Sequence, residues 1–265
     1  MTKFFTTDDD FEKIIKGKIK LVTEISQIKT GWTNFVFMVC TAGNGSYIFR
    51  FPRNDFFAKA MVTEIPFTKF VAKHVSTKTV ELKLGRHRNR IYSIHRLVDG
   101  EVLTEVYPTL SVEQKGQLAQ DIAVYLNQLQ SVSEHKINIL SSEFLTGLVV
   151  DNGLPSEIIP ILGKLKDLEG ERILSHGDFN PGNILVDNNG RLVAVLDYAF
   201  ISVSCRTNDL SRLIGRLPED FREPMLNALG YEVDKDELDL LINLWSQIDS
   251  GYIDYMRRCH PDVEV

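Results

Sequence analysis

The chain has 265 residues, 43% hydrophobic and 25% charged, the balance of a folded globular protein long enough to bury a sizeable core in two parts. Its formal net charge of −6 argues against a general nucleic-acid binder, which would carry a basic footprint, and suits a cationic small-molecule partner better. Cys40, Cys205 and Cys259 lie far apart with no Cys-x-x-Cys pair, so neither a disulfide framework nor a zinc site is indicated.

The N-terminal stretch turns acidic before any apolar run long enough for a signal sequence, and no segment reaches membrane-spanning length, so the cytoplasm is the default expectation. Thr7 followed by Asp8, Asp9 and Asp10 reads as a helix N-terminus, with Phe11, Ile14 and Ile15 as its buried stripe. Segments 20–28, 34–40, 46–51, 79–84 and 90–97 are rich in β-branched and aromatic residues and predict five strands. One helix, over 55–73, should interrupt them, kinked or split by Pro66. Lys83, Arg86, His87, Arg88 and Arg90 form a basic cluster that coincides with Gly85 and Asn89, and it reads as a solvated hairpin tip. Val98-Asp99-Gly100 reads as a hinge that divides the chain into residues 1–98 and 99–265. Beyond it the pattern is mostly helical. Ser111 and Gln114 make a capping box ahead of Leu118, Ile122, Tyr125 and Leu129 at helical spacing. A last long helix carries Leu238, Leu241, Trp245, Ile248, Tyr252 and Tyr255 in a stripe that reads as core.

The most informative stretch is Leu174-Ser175-His176-Gly177-Asp178-Phe179-Asn180-Pro181-Gly182-Asn183-Ile184-Leu185, followed by Val195-Leu196-Asp197. Asp178 and Asn183 lie five positions apart in a loop that Pro181 and Gly182 bend, so their side chains can converge. Residues 184–186 read as a short strand, Asp187-Asn188-Asn189-Gly190 as a turn, and 192–196 as the returning strand, which delivers Asp197 beside Asn183. One carboxylate can then receive a hydroxyl proton, while an amide and a second carboxylate offer hard oxygen ligands suited to magnesium.

His176-Gly177-Asp178, Pro181-Gly182-Asn183-Ile184-Leu185, Asp197 and Asn208-Asp209-Leu210 together resemble the aminoglycoside-phosphotransferase-like kinases, a family that also includes choline, homoserine and fructosamine kinases. The resemblance implies an α+β, bilobal, protein-kinase-like fold, with a small N-terminal antiparallel lobe for nucleotide and a larger, mainly helical lobe carrying the catalytic loop. It implies that Asp178 is the catalytic base, that Asn183 and Asp197 bind Mg2+, and that His176 and Asp209 support the loop. Arg50 falls where kinases place a phosphate-binding lysine, with Glu64 as its partner, and Gly31, Thr33 and Asn34 lie where the family places a loop over the phosphates. That loop has only one glycine, and Ser204-Cys205-Arg206 replaces the family's usual Gly-Asp-Pro. Asn180 is a further departure.

The expected activity is phosphotransfer from ATP or GTP to the hydroxyl of a small, cationic, aminoglycoside-like acceptor, with homoserine or choline kinase as the alternative. A nucleotide-binding pseudokinase is also conceivable, but Asp178, Asn183 and Asp197 are all present. A protein kinase is disfavoured because no Ala-Pro-Glu-like element follows Asp197. The acidic C-terminal region points to Asp249 and Asp254 as acceptor-binding carboxylates. Oligomeric state is left open.

Overall fold

The computed structural model describes residues 5–6, 9–30, 33–43, 45–132 and 173–259. They form two compact units. The first draws on the described residues within Met1–Thr68, Val80–Val98 and Ile253–Val265, the second on those within Lys69–Thr79 and Asp99–Tyr252.

In the first unit, helix α1 (Phe11–Lys18) is capped by Asp10, three residues after Thr7, and the Asp10 carboxylate accepts from Lys13 N at 2.9 Å. Strands β1 (Val22–Ile28), β2 (Asn34–Thr41), β3 (Gly45–Pro52), β4 (Lys83–His87) and β5 (Arg90–Arg96) form one antiparallel sheet in the order β1-β2-β3-β5-β4. Phe35, Phe37 and Val39 alternate along β2, Phe49 and Phe51 along β3, and Tyr92 and Ile94 along β5; with Phe5, Ile14 and Ile15 they make the core. The register pairs Phe35 with Phe51, Phe37 with Phe49 and Phe49 with Ile94, so large side chains meet across the strands on one face. Arg50 and Ser93, each between two core residues, are therefore turned to the other face, where the register pairs them.

Three sequence expectations change here. The predicted strand at 79–84 is displaced: Val80 and Leu82 are buried with a period of two, but ladder pairing begins at Lys83 and runs to His87. The basic cluster thus lies mostly within a ladder, with Arg88 at the turn in a left-handed conformation (φ 55°). Arg90 is not solvated: it stacks on Phe5 at 4.3 Å and bonds Asp9 at 2.6 Å. Gly85 faces Tyr92 so closely that a Cβ would sit 2.3 Å from its ring. Helix α2 (Asp55–Val71) runs through Pro66 without being split. The carbonyl that Pro66 leaves without its usual donor belongs to Val62, which is exposed, so water can satisfy it.

The second unit contains strands β6 (Glu101–Val102), β7 (Ile173–Ser175), β8 (Ile184–Val186), β9 (Leu192–Val195) and β10 (Ser202–Ser204), arranged as a three-stranded sheet β6-β8-β9 and a β10-β7 pair. Its helices include α3 (Leu103–Val106), α4 (Val112–Gln130), α5 (Thr207–Ile214), α6 (Arg222–Ala228) and α7 (Lys235–Cys259). The capping box on α4 is formed: Gln114 N donates to Ser111 Oγ at 3.2 Å and Ser111 N to Gln114 Oε1 at 2.9 Å. Leu118, Ile122, Tyr125 and Leu129 are fully buried, and Leu238, Leu241 and Trp245 on α7 are buried as well. The side chains of Tyr252 and Tyr255 lie outside those described. Among the described residues no helix is long and apolar enough to cross a membrane. This antiparallel sheet unit followed by a largely helical one is the α+β class expected from the sequence.

Candidate active site

Helix α5 has an unusual composition for a buried element: Thr207, Asn208, Asp209, Ser211 and Arg212 are all buried alongside Leu210, Leu213 and Ile214. Buried polar groups persist where they are hydrogen-bonded, and the partners of these residues define the site.

Asp209, 1% exposed, accepts from Ser175 Oγ at 2.8 Å, His176 N at 2.7 Å and Gly177 N at 3.0 Å. Burial raises its pKa, and the bonds from His176 and Gly177 work in the opposite direction. Asn208 donates to Ser175 Oγ at 3.0 Å and accepts from Trp245 Nε1 at 3.1 Å. The backbone from Ser175 to Gly177 is thus fixed from below by α5. Gly177 is required at its position, for its φ is +80° and a Cβ would lie 2.0 Å from the Phe200 carbonyl oxygen.

His176 is fully buried, and its Nε2 donates to the Leu196 carbonyl at 2.9 Å while Nδ1 accepts from Asp178 N at 3.3 Å. These bonds select the tautomer with the proton on Nε2. The ring joins the loop before Asp178 to the strand end before Asp197, so His176 is a brace.

Asn180 caps the 3-10 turn Pro181–Asn183 by accepting from Gly182 N at 2.9 Å. Its amide nitrogen reaches back to Asp178 Oδ1 at 2.9 Å, and the Asn183 amide nitrogen donates to Asp178 Oδ2 at 3.1 Å and to the Asp178 carbonyl at 2.9 Å. With its nitrogen committed to Asp178, the Asn183 side-chain oxygen is left as an acceptor for a cation. The predicted hairpin is present. Asp187 holds its turn by accepting from Asn189 N at 2.8 Å and Arg191 N at 2.9 Å. Leu196 N then donates to the Asn183 carbonyl at 2.8 Å, which ties the residue before Asp197 to Asn183. Asp197 is left-handed (φ 60°), a strained conformation that aspartate tolerates better than most residues, and it caps the turn Tyr198–Phe200. Tyr198 next to it is anchored by a 3.2 Å bond to Tyr125. Two half-buried oxygen donors fixed by one backbone bond are the ligand set that a magnesium ion carrying water and phosphate oxygens can use.

Two arginines that sequence reasoning missed complete the cluster. Arg212 Nη2 bonds Asp178 Oδ1, its Nη1 reaches Asp249 Oδ1 at 3.3 Å, and its guanidinium lies over Trp245 at 4.2 Å. Arg216 Nε bonds Asp249 Oδ2 at 2.9 Å. Burial would push the Asp178 carboxyl up, but the Arg212 and Arg216 charges more than offset it and bring it down to about 2. The signal for Arg212 was in the sequence, since it lies three residues after Asp209 and hence on the same helix face. Asp249 requires a correction: its carboxylate is engaged by two arginines and does not stand as a negative rim charge. Asp254 is exposed, with Arg257 at 3.8 Å.

In the first unit, Arg50 Nη2 bonds Glu64 Oε2, and Arg50 Nε bonds Ser93 Oγ at 3.0 Å. Their side chains are 11% and 2% exposed, so this is a buried ion pair, not a solvated one. Burial, together with the Arg50 charge, lowers His95 to about 4, leaving the arginine as the local cation. Asn34, buried at the start of β2, donates to Thr33 Oγ1 at 2.7 Å, and its Oδ1 has no hydrogen-bond partner among the described residues. Gly31 lies outside the described residues.

Several solved structures share this fold. APH(2″)-IIIa in complex with GDP and kanamycin is 19% identical with a TM-score of 0.73, covering 95% of this chain and 93% of that one. The streptomycin–ATP ternary complex of APH(2″)-IIa is 20% identical, TM-score 0.66, over 93% and 91% of the two chains. The apoenzyme of a macrolide 2′-phosphotransferase from Brachybacterium faecium is 17% identical, TM-score 0.63, over 96% and 93%. At these identities the likeness establishes the aminoglycoside-phosphotransferase-type, kinase-like fold. A sequence model of the phosphotransferase enzyme family matches residues 24–241, most of the chain and a span that includes Arg50, Asp178, Asn183, Asp197 and Asp209, so the chain belongs to that family and is a phosphotransferase acting on an alcohol group.

Proposed function

We propose that this protein is a small-molecule kinase that transfers the γ-phosphate of ATP or GTP to a hydroxyl of an amino-containing, aminoglycoside-like acceptor. The observation that carries the reading is the joint fixation of Asp178, Asn183 and Asp197: the first two share a hydrogen bond, and the backbone bond from Leu196 to Asn183 holds the third nearby.

In this reading Asp178 accepts the hydroxyl proton. Its Oδ1 is already bonded by Asn180 and Arg212, so the acceptor approaches Oδ2, which takes one bond from Asn183 and keeps a lone pair. A carboxylate that stays ionised is adequate as a base, because the dissociative transition state demands orientation more than early proton removal. Asn183 and Asp197 would hold Mg2+, whose charge offsets that developing on the phosphates when it is bound. Arg50, kept straight by Glu64 and Ser93, would bind donor phosphates from the first unit, and Thr33 and Asn34 would contribute to the loop over them. The buried Asn34 oxygen, which has no hydrogen-bond partner among the described residues, fits a ligand-facing role. The structural relatives crystallised with kanamycin, streptomycin, GDP and ATP support this choice of acceptor and donor.

The test is a coupled turnover screen of aminoglycosides, choline and homoserine with ATP and with GTP, each with magnesium and with a chelator. The proposal expects magnesium-dependent transfer, best with a polyamine acceptor. Transfer to homoserine or choline alone would replace the acceptor class, and binding of nucleotide with no transfer to any hydroxyl would refute the kinase reading.

A further inference from the structure

We infer that Arg212 is the positioning residue of this site: it selects which oxygen of Asp178 is presented to the acceptor, and Asp249 and Trp245 serve it. The inference rests on the reading of Asp178 as the base.

Helix α5 grips the loop at two points. Asp209 holds the backbone N–H groups of His176 and Gly177, and Arg212, one turn further along the same face, holds the side chain of Asp178. Fixing the backbone alone would leave the carboxylate free to rotate about its own bonds. Arg212 removes that freedom, because its Nη2 and the Asn180 amide both occupy Oδ1. Oδ2, with Asn183 on one side, then remains for a hydroxyl.

The guanidinium is itself immobilised. It is 7% exposed, stacked on Trp245, and held on its far edge by Asp249, which Arg216 in turn secures. Trp245 is fixed through Asn208 to Ser175, so the arginine and the loop it grips are referred to one framework. Stability is a poor explanation for this arrangement. A buried ion pair gains little over an apolar replacement, and the Arg212 Nε is buried with no hydrogen-bond partner among the described residues. The cost is consistent with a role in orientation. The planar fork matters as well as the charge, since one face stacks on Trp245 while two nitrogens address two carboxylates.

Phosphate release from magnesium ATP or GTP with water as acceptor tests this without a known substrate, alongside the nucleotide Kd measured directly. Arg212→Gln should lower the release rate by about 10- to 100-fold while the nucleotide Kd stays within a few-fold, because the base is misaligned and the phosphate-binding groups are untouched. Arg212→Lys should recover only part of the rate, and millimolar guanidinium, far below the molar range that unfolds proteins, should raise the rate of Arg212→Gly. Should Arg212→Gln not fold, Arg212→Lys carries the same reading of rate against Kd. Rates close to the parent in these variants, or losses of rate and nucleotide binding in equal proportion, would overturn the inference. A parent protein that binds no nucleotide, or that transfers phosphate neither to water nor to any acceptor of the turnover screen, would refute the proposed function instead, and where only an acceptor turns over the same variants are compared with that acceptor.

Discussion

Replacing Asp209 by Asn changes one atom in a buried carboxylate that accepts three hydrogen bonds, and its cost can be worked from the geometry. Asp209 Oδ1 takes Ser175 Oγ at 2.8 Å and Gly177 N at 3.0 Å, and Oδ2 takes His176 N at 2.7 Å. An asparagine has one accepting oxygen. If that oxygen keeps Ser175 and Gly177, the amide nitrogen is set against the buried His176 N–H, donor to donor. Losing a bond to a charged acceptor and stranding its donor costs about 2–4 kcal/mol. Some is returned, because burial raises the pKa of Asp209 and the neutral amide avoids that desolvation. A net loss of about 2–3 kcal/mol is the expectation, and at about 2–4 °C per kcal/mol for a chain of this size the midpoint should fall by about 4–12 °C. Thermal unfolding followed by fluorescence of the buried Trp245 measures it. Turnover should fall too, since the freed His176–Gly177 backbone precedes the proposed base. A midpoint within about 2 °C of the parent would refute the view that α5 fixes the loop through this carboxylate.

Asp178→Asn should abolish transfer while nucleotide binding survives, and turnover within a few-fold of the parent would reject its role as base. Asp197→Ala should remove the magnesium-dependent part of nucleotide affinity, measured by titration with and without the metal; a parent whose affinity ignores magnesium would dismiss the idea. Arg50→Lys should keep partial activity and Arg50→Ala should raise the nucleotide KM strongly, because lysine retains charge but cannot address Glu64 and Ser93 together; equal KM values would make Arg50 a structural residue only. Although burial opposes it, the bond from Arg90 lowers the pKa of Asp9, so this pair stabilises above the ordinary carboxylate pKa and the benefit is lost as pH falls through the lowered one. Asp9→Asn should therefore be less stable than the parent near neutrality, with the two denaturation midpoints converging in acid; a gap independent of pH would exclude the charge as its source.

The proposed loop was legible because local chemistry determines it. Pro181 and Gly182 bend the chain, Asp187 closes its turn on Asn189 and Arg191, and the strand lengths on either side return Asp197 to Asn183. The same local logic located the capping box at Ser111 and Gln114. It failed where long-range pairing decides. Val80 and Leu82 look like a strand because they are buried with a period of two, yet the ladder is counted back from the turn at Arg88 and Asn89 and ends at Lys83. Pro66 leaves α2 unsplit, since the carbonyl it frees belongs to the exposed Val62. Arg212 lies 34 positions from Asp178: its place three residues after Asp209 puts it on the loop-facing side of α5, while the bond itself depends on how α5 packs against the loop.

The acidity of the C-terminal region illustrates the difference between counting charges and placing them. Asp234 accepts from Asp236 N at 2.9 Å and Glu237 N at 3.2 Å, serving the start of α7. Glu237 accepts from Thr207 at 2.7 Å, Asp239 pairs with Arg222, and Asp249 with Arg212 and Arg216. Asp234, Glu237, Asp239 and Asp249, four carboxylates of that acidic region, thus have structural partners, and Asp178 and Asp249 are balanced by Arg212 and Arg216 into a cluster of zero net charge. A cationic acceptor therefore gains little long-range attraction from this cluster, and the amino-containing class rests on the structural relatives and on the overall charge of −6, with Asp249 withdrawn from the argument. What the cluster gives the proposed base is an ionised carboxylate held in one orientation, so a change at Asp249 should reach turnover through Arg212 and leave the salt dependence of the acceptor KM unaltered.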